Sequence, residues 1–243
     1  MEMHVEKVPL HILELDYIQS IILKHIYLRT DTLVFKGGTC LRKVHKINRF
    51  SEDLDFNILK GDPKETLEHG IKGLERTGID AELSHFDDRK DVCLAKIRYS
   101  GPLYQGTSLS RGSIQIDISK HVVHREPEWR TTMENYPDVG TYSMKIMHPQ
   151  EILAEKFRSL VQREMPRDLY DIFFILKKGA RTRLDVINAK LSEVGAEPMD
   201  SHADAIECYT ITDEQWSRDL RPLILRVPDL QSIRSEIMRM LEI

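Results

Sequence analysis

Lys36-Gly37-Gly38-Thr39-Cys40-Leu41-Arg42, followed after a short gap by Arg49-Phe50-Ser51-Glu52-Asp53-Leu54-Asp55-Phe56, is the stretch on which the reading of this chain turns. The first string leaves a short apolar strand, Leu33-Val34-Phe35, and predicts a short helix from Thr39 to about Lys46. Glycines at such a turn permit close backbone approach, and the free N–H groups of a helix start favour an anion. Residues 36–49 carry Lys36, Arg42, Lys43, Lys46 and Arg49 without one acid, a local charge of +5 suited to a triphosphate. In the second string Leu54, Phe56 and Ile58 alternate with Asp53, Asp55 and Asn57, which predicts a strand over 49–59. Asp53 and Asp55 then leave the same face of that strand. Carboxylates so placed repel unless a cation lies between them, and hard oxygen ligands favour Mg²⁺.

Outward from this stretch, the spacing of Leu10, Leu13, Tyr17, Ile21 and Leu28 predicts an opening helix. Another helix is expected over 63–77, ended by Gly78. Strands are predicted over 92–99 and 113–119, joined as a hairpin by GPLYQGTSLSRG. On the second of them Asp117 points away from Ile114, Ile116 and Ile118. If that strand neighbours the one bearing Asp53 and Asp55, three carboxylates meet on one patch of sheet, an arrangement suited to in-line displacement at phosphorus. Residues 120–148, with Pro127 and Pro137, read as irregular. Beyond them only helices are expected, at about 150–164, 168–178, 182–194 and 228–242, with a shorter one near 213–219. The fold class is therefore α+β, with a mixed-sheet core over 1–148 and a helical C-terminal domain over 149–243.

Composition narrows the classes. The chain has 243 residues, 35 Lys and Arg against 39 Asp and Glu, and a formal charge of −4, which argues against a general nucleic-acid coat but leaves room for local basic sites. Cys40, Cys93 and Cys208 form no CxxC pair, which suits a reducing cytoplasm. The stretch MEMHVEKVPLHILELD lacks the apolar core of a leader, and no run is long enough to span a membrane. No GxSxG, GxxxxGK[ST] or GxGxxG occurs. His121 and His124 lack zinc-ligand spacing, and Trp129 and Trp216 are expected to fill cores. Residues 151–190 carry a net +3, whereas 191–217 carry seven acids and no Lys or Arg. The first segment suits a nucleotide or nucleic-acid acceptor, and the second a basic protein partner.

The KGGT and RFSEDLDF strings resemble those of the AbiEii/AbiGii-type nucleotidyltransferase toxins of abortive-infection antiviral systems, a branch of the DNA polymerase β-like superfamily. A second block is similar too: Pro149-Gln150-Glu151-Ile152-Leu153-Ala154-Glu155-Lys156-Phe157-Arg158, then Arg163, then Arg167-Asp168-Leu169-Tyr170-Asp171. The resemblance covers about residues 30–180. It implies a polymerase β-like core and transfer of a nucleotide from an NTP. It implies magnesium on Asp53 and Asp55, with Asp117 completing the site, and NTP phosphates on Gly37, Gly38 and Thr39. Lys36 and Arg49 flank that turn as cations, and Ser51 is either a hydrogen-bonder at the strand start or a further phosphate contact.

The resemblance also implies catalytic roles for Lys156 and Asp171, and nucleotide contact by Lys156 and the nearby Asp168. For Lys156, phosphate contact and an interhelical salt bridge both stand open, and Asp168 after Pro166 is equally placed for an N-cap. Arg167 and Asp171 have the spacing of an i,i+4 pair. Cys40 departs from the Ala or Ser usual at its position. The acceptor implied is the 3′ end of a tRNA or another RNA, the outcome growth arrest by a toxin, and the partner a cognate antitoxin of winged-helix type. Transfer to a small molecule or a protein, and a non-catalytic nucleotide-binding regulator, remain alternatives.

Overall fold

The computed structural model describes residues 8–242, which fall into two compact units, 8–147 and 148–242. Residues 1–7, part of the stretch read for a leader, lie outside the described residues. Within them no helix is long and apolar enough to cross a membrane.

The first unit holds α1 (Leu10–Tyr27), β1 (Leu33–Lys36), α2 (Gly37–Lys43), β2 (Leu54–Ile58), α3 (Pro63–Arg76), β3 (Asp80–Asp88), β4 (Val92–Ser100), β5 (Gly112–Ser119), β6 (Glu128–Met133) and β7 (Thr141–Ile146). The strands form one mixed sheet in the order β3-β4-β5-β2-β1-β7-β6. β2 with β5 and β1 with β7 run parallel, and the other neighbours antiparallel. The strand alternation has a direct structural meaning. Leu54, Ile116 and Ala95 stand in one row across the sheet, Phe56, Ile118 and Cys93 in another, and all six are buried. Leu33, Val34 and Phe35 are completely buried on the interior strand β1, and each contributes roughly 1.5–3 kcal/mol by leaving water.

Several expectations are corrected. Residues 120–148 are not irregular: they contain β6 and β7, and Ile146 pairs with Phe35 of β1. The prolines that suggested a loop lie outside the two strands, and pairing with the sheet supplies the order that local pattern does not. β3, with the polar sequence DAELSHFDD, gave no strand signal and forms the opposite sheet edge, with a register shift between Leu83 and His85. α2 starts at Gly37 and ends at Lys43, earlier at both ends than expected, because Gly37 turns the chain directly from β1 into helix and Lys46 takes a left-handed backbone conformation. β2 is shorter than predicted, since 49–53 pair with no strand and the Ser51 and Asp53 carbonyls accept from the Gln19 and Thr39 side chains instead. Trp129 is half-exposed on edge strand β6, with Lys145 over its ring, whereas Trp216 is buried and donates to the Pro228 carbonyl.

α3 opens with Asp62 as its N-cap: the carboxylate accepts from the Lys64 N–H at 2.8 Å, and Pro63 occupies the first helical turn. Asp62→Ala should lower stability by about 1 kcal/mol, read as an earlier urea midpoint.

The second unit is helical: α4 (Pro149–Arg163), α5 (Pro166–Lys177), α6 (Leu184–Ser192), α7 (Asp204–Glu207), α8 (Asp213–Leu220) and α9 (Leu230–Leu241). The four-residue α7 was not anticipated. α4 packs on α5 and α6, and α5 on α8 and α9, around Phe157, Leu160, Leu169, Ile172, Ile187, Leu191 and Ile237. Lys190 of α6 is buried and donates to Glu151 at 2.9 Å and Glu155 at 3.4 Å on α4. A buried Glu151 is tolerated here because that ammonium partners it.

Candidate active site

The site is built where β1 passes into α2. Lys36, the last residue of β1, stands opposite Asp55 of β2, and Asp55 stands opposite Asp117 of β5. Residues directly opposite on neighbouring strands project from the same face. One row across three strands therefore presents an ammonium and two carboxylates, on the face away from the buried Leu54, Phe56 and Ile116. Asp117 is exposed and Asp55 half-buried. Asp53 precedes β2, and its backbone carbonyl accepts the Thr39 hydroxyl at 2.5 Å.

The two glycines have separate steric reasons. Gly37 sits at φ +72°, and a methyl group there would overlap Asp55 Oδ2 and come within 2.7 Å of Asp55 Cγ. At Gly38 a methyl would lie 2.5 Å from an Arg49 guanidinium nitrogen and 2.7 Å from Ser51 Oγ. The start of α2 thus lies directly on Asp55, Arg49 and Ser51, which only glycine allows. Gly37→Ala combines a strained φ with overlap on Asp55 and should lower stability by about 1–3 kcal/mol, read as an earlier urea midpoint. A midpoint equal to that of the wild type would contradict the close approach.

The approach 49–53 is pinned from beneath. Arg49 is only 2% exposed and donates to the Phe50 carbonyl at 2.9 Å. Gln19 of α1 is buried and donates to the Ser51 carbonyl at 2.8 Å. Sequence reading missed Gln19, although a glutamine beside the apolar run 21–23 is a signal that its amide has a fixed task. Cys40 is buried one turn into α2, and burial, reinforced by the negative charge of Asp55, pushes its thiol far up. A buried thiol held protonated is a poor nucleophile, and its small size suits the position.

Magnesium fits the chemistry of the oxygen donors on this face. Among the described residues no three His, Cys, Asp or Glu side chains form a ready-made cage. The donor set suits an ion shared with substrate phosphates, as Mg²⁺ commonly is.

Lys156, Arg163, Asp168 and Asp171 come together within the second unit. Lys156 Nζ lies 3.0 Å from Asp168 Oδ1 and 2.8 Å from Asp171 Oδ2, joining α4 to α5. Arg163 adds a two-pronged contact to Asp168, at 2.7 and 3.0 Å. Both carboxylates are completely buried. Burial tends to raise the Asp168 pKa, but Lys156 and Arg163 outweigh it and hold the carboxyl well below the usual range.

A family model described as "Nucleotidyl transferase AbiEii toxin, Type IV TA system" matches residues 22–237. The chain belongs to the AbiEii family. It is accordingly a nucleotidyltransferase of a type IV toxin–antitoxin family. The AbiEii match takes in both the sheet and the helical unit. Among solved structures, the chain is similar to MenT4, a nucleotidyltransferase toxin from Mycobacterium tuberculosis H37Rv, with TM-score 0.70 and 16% identity over 95% of this chain and 82% of that one. It is also similar to JHP933 from Helicobacter pylori, with TM-score 0.63 and 20% identity over 97% and 92% of the two chains. At these identities the likeness establishes the AbiEii member's fold. No curated protein matches the chain in sequence.

Proposed function

We propose that this chain transfers a nucleotide from an NTP to the 3′ end of an RNA, tRNA foremost, with Mg²⁺ on Asp53, Asp55 and Asp117. The observation that carries the reading is the Lys36–Asp55–Asp117 row, with the Gly37 turn resting on Asp55. Gly37, Gly38 and Thr39 open α2 with backbone N–H groups suited to the NTP phosphates. Lys36, Arg49 and Ser51 surround that turn, two as cations and one as a hydroxyl. Asp117, the exposed member of the pair, takes the proton from the acceptor hydroxyl as it attacks the α-phosphorus, and pyrophosphate leaves. Bound magnesium would neutralise charge on the transferring phosphate. Lys156, Asp168 and Asp171 hold α4 against α5 as a buried ion-pair cluster. The physiological outcome is growth arrest, countered by a cognate antitoxin.

Purified protein incubated with Mg²⁺, each labelled NTP in turn and total tRNA should yield ribonuclease-sensitive label, and EDTA should abolish it. Label that survives ribonuclease would move the acceptor to protein. Absence of label with every NTP would overturn the reading.

A further inference from the structure

Three of the five cations between Lys36 and Arg49 do not gather at the Gly37 end of α2. Arg42, Lys43 and Lys46 lie at its other end, where, with Asp16, Asn48, Thr131, Thr132, Glu134 and Asn135, they line an open cleft of about 390 Å³ beside β6. Lys43 is buried, with Nζ 2.9 Å from Asp16 Oδ1 and 3.5 Å from Glu134 Oε2. Those acids are further fixed by Tyr136, which donates to Asp16 at 2.8 Å, and Tyr142, which donates to Glu134 at 2.9 Å. Both carboxylates of the cleft thus face one buried ammonium, and with Arg42 and Lys46 the charged side chains that line it sum to +1.

Arg42 and Lys46 supply the remaining charge. The Arg42 guanidinium lies 4.0 Å over the Phe50 ring and 3.9 Å from Asp16. Lys46 is exposed, donates to Thr132 Oγ1 at 3.2 Å, and has φ 58°, a conformation lysine adopts rarely. Carbonyls here that would repel an anion are already bonded: those of Cys40, Leu41 and Lys43 accept from Val44, Ile47 and Thr132. Strained backbone that aims a cation into a polar cleft is a recurrent device of ligand clamps.

We infer that this cleft is a second phosphate site, separate from the Gly37 turn. Arg42 and Lys46 meet the phosphate, while Asn48 and Asn135 offer hydrogen bonds to the adjoining sugar or base. Either a phosphodiester of single-stranded RNA or the phosphates of a free nucleotide would fit that chemistry. A phosphate contact made by one lysine should appear in the salt dependence of RNA binding, with a slope change of about 0.7 for a single strand when the charge is removed.

The test uses the full chain without Mg²⁺ or NTP, so that it is independent of transfer. The probes are a fluorescein-labelled 12-nucleotide RNA and a fluorescent ADP. Lys46→Gln should weaken binding about fivefold and lower the salt slope for the RNA by about 0.7, whereas Lys46→Arg should retain both. Lys64→Gln, an equal charge loss at an exposed position of α3, should change neither. Thermal melting confirms that the three variants fold. An effect confined to the RNA assigns the site to a polymer, and one confined to ADP assigns it to a free nucleotide. Lys46→Gln indistinguishable from Lys64→Gln with both probes, or no binding of either probe by the wild type, overturns the inference.

Discussion

Asp55→Asn is expected to reduce nucleotide transfer at least about a thousandfold, equivalent to about 4 kcal/mol of lost transition-state stabilisation. The substitution preserves shape and removes charge. Asp55 occupies the centre of the row, with Lys36 on one side and Asp117 on the other, and carries the start of α2 on its carboxylate. On the proposed reading, neutralising it would leave Asp117 unable to hold a divalent ion in register with the glycine turn. Rapid-quench measurement of label incorporation provides the test, with the melting temperature as a check on folding. A variant retaining a tenth of the wild-type rate would remove Asp55 from the metal set. Asp117→Asn should show a comparable loss.

Asp168→Ala should destabilise the helical unit by about 1.5–3 kcal/mol, because Lys156, which keeps Asp171, and the half-exposed Arg163 both lose charged hydrogen bonds to a completely buried carboxylate. The same group makes a pH prediction. Its carboxyl is held below the ordinary range in the folded state, while in the unfolded chain it titrates near about 3.9. Between those values the unfolded chain binds more protons, so stability is lost as pH falls. The stabilisation is complete above the unfolded value and disappears toward the folded one. Urea midpoints of the wild type should therefore fall below about pH 4, and the variant should show a shallower acid slope. Parallel slopes would mean that Asp168 is not the group responsible.

The parts of the site that follow from nearest-neighbour rules were legible. Leu54, Phe56, Ile114, Ile116 and Ile118 announced two strands and their buried face, because side chains alternate with period two. The glycine pair announced a turn that a Cβ would obstruct. The +5 run was legible as charge but not as position. A helix only seven residues long separates its ends, so that Lys36 and Arg49 remain beside the turn while Arg42, Lys43 and Lys46 line a different cleft. β3, β6 and β7 escaped for a related reason: polar or proline-flanked strands acquire their order from the strands they pair with.

The sequence by itself determined the α+β class, the strand-to-helix glycine turn, the candidate carboxylates and the family resemblance, since each rests on local spacing. Tertiary structure alone decided that Asp55 and Asp117 face each other, that Gln19 supports Ser51, and that Lys156 bridges Asp168 and Asp171. Those facts depend on which elements meet and in what register. Register is a property of pairs of segments distant in the chain, set by the burial of one whole face at once, and no window of sequence contains both partners.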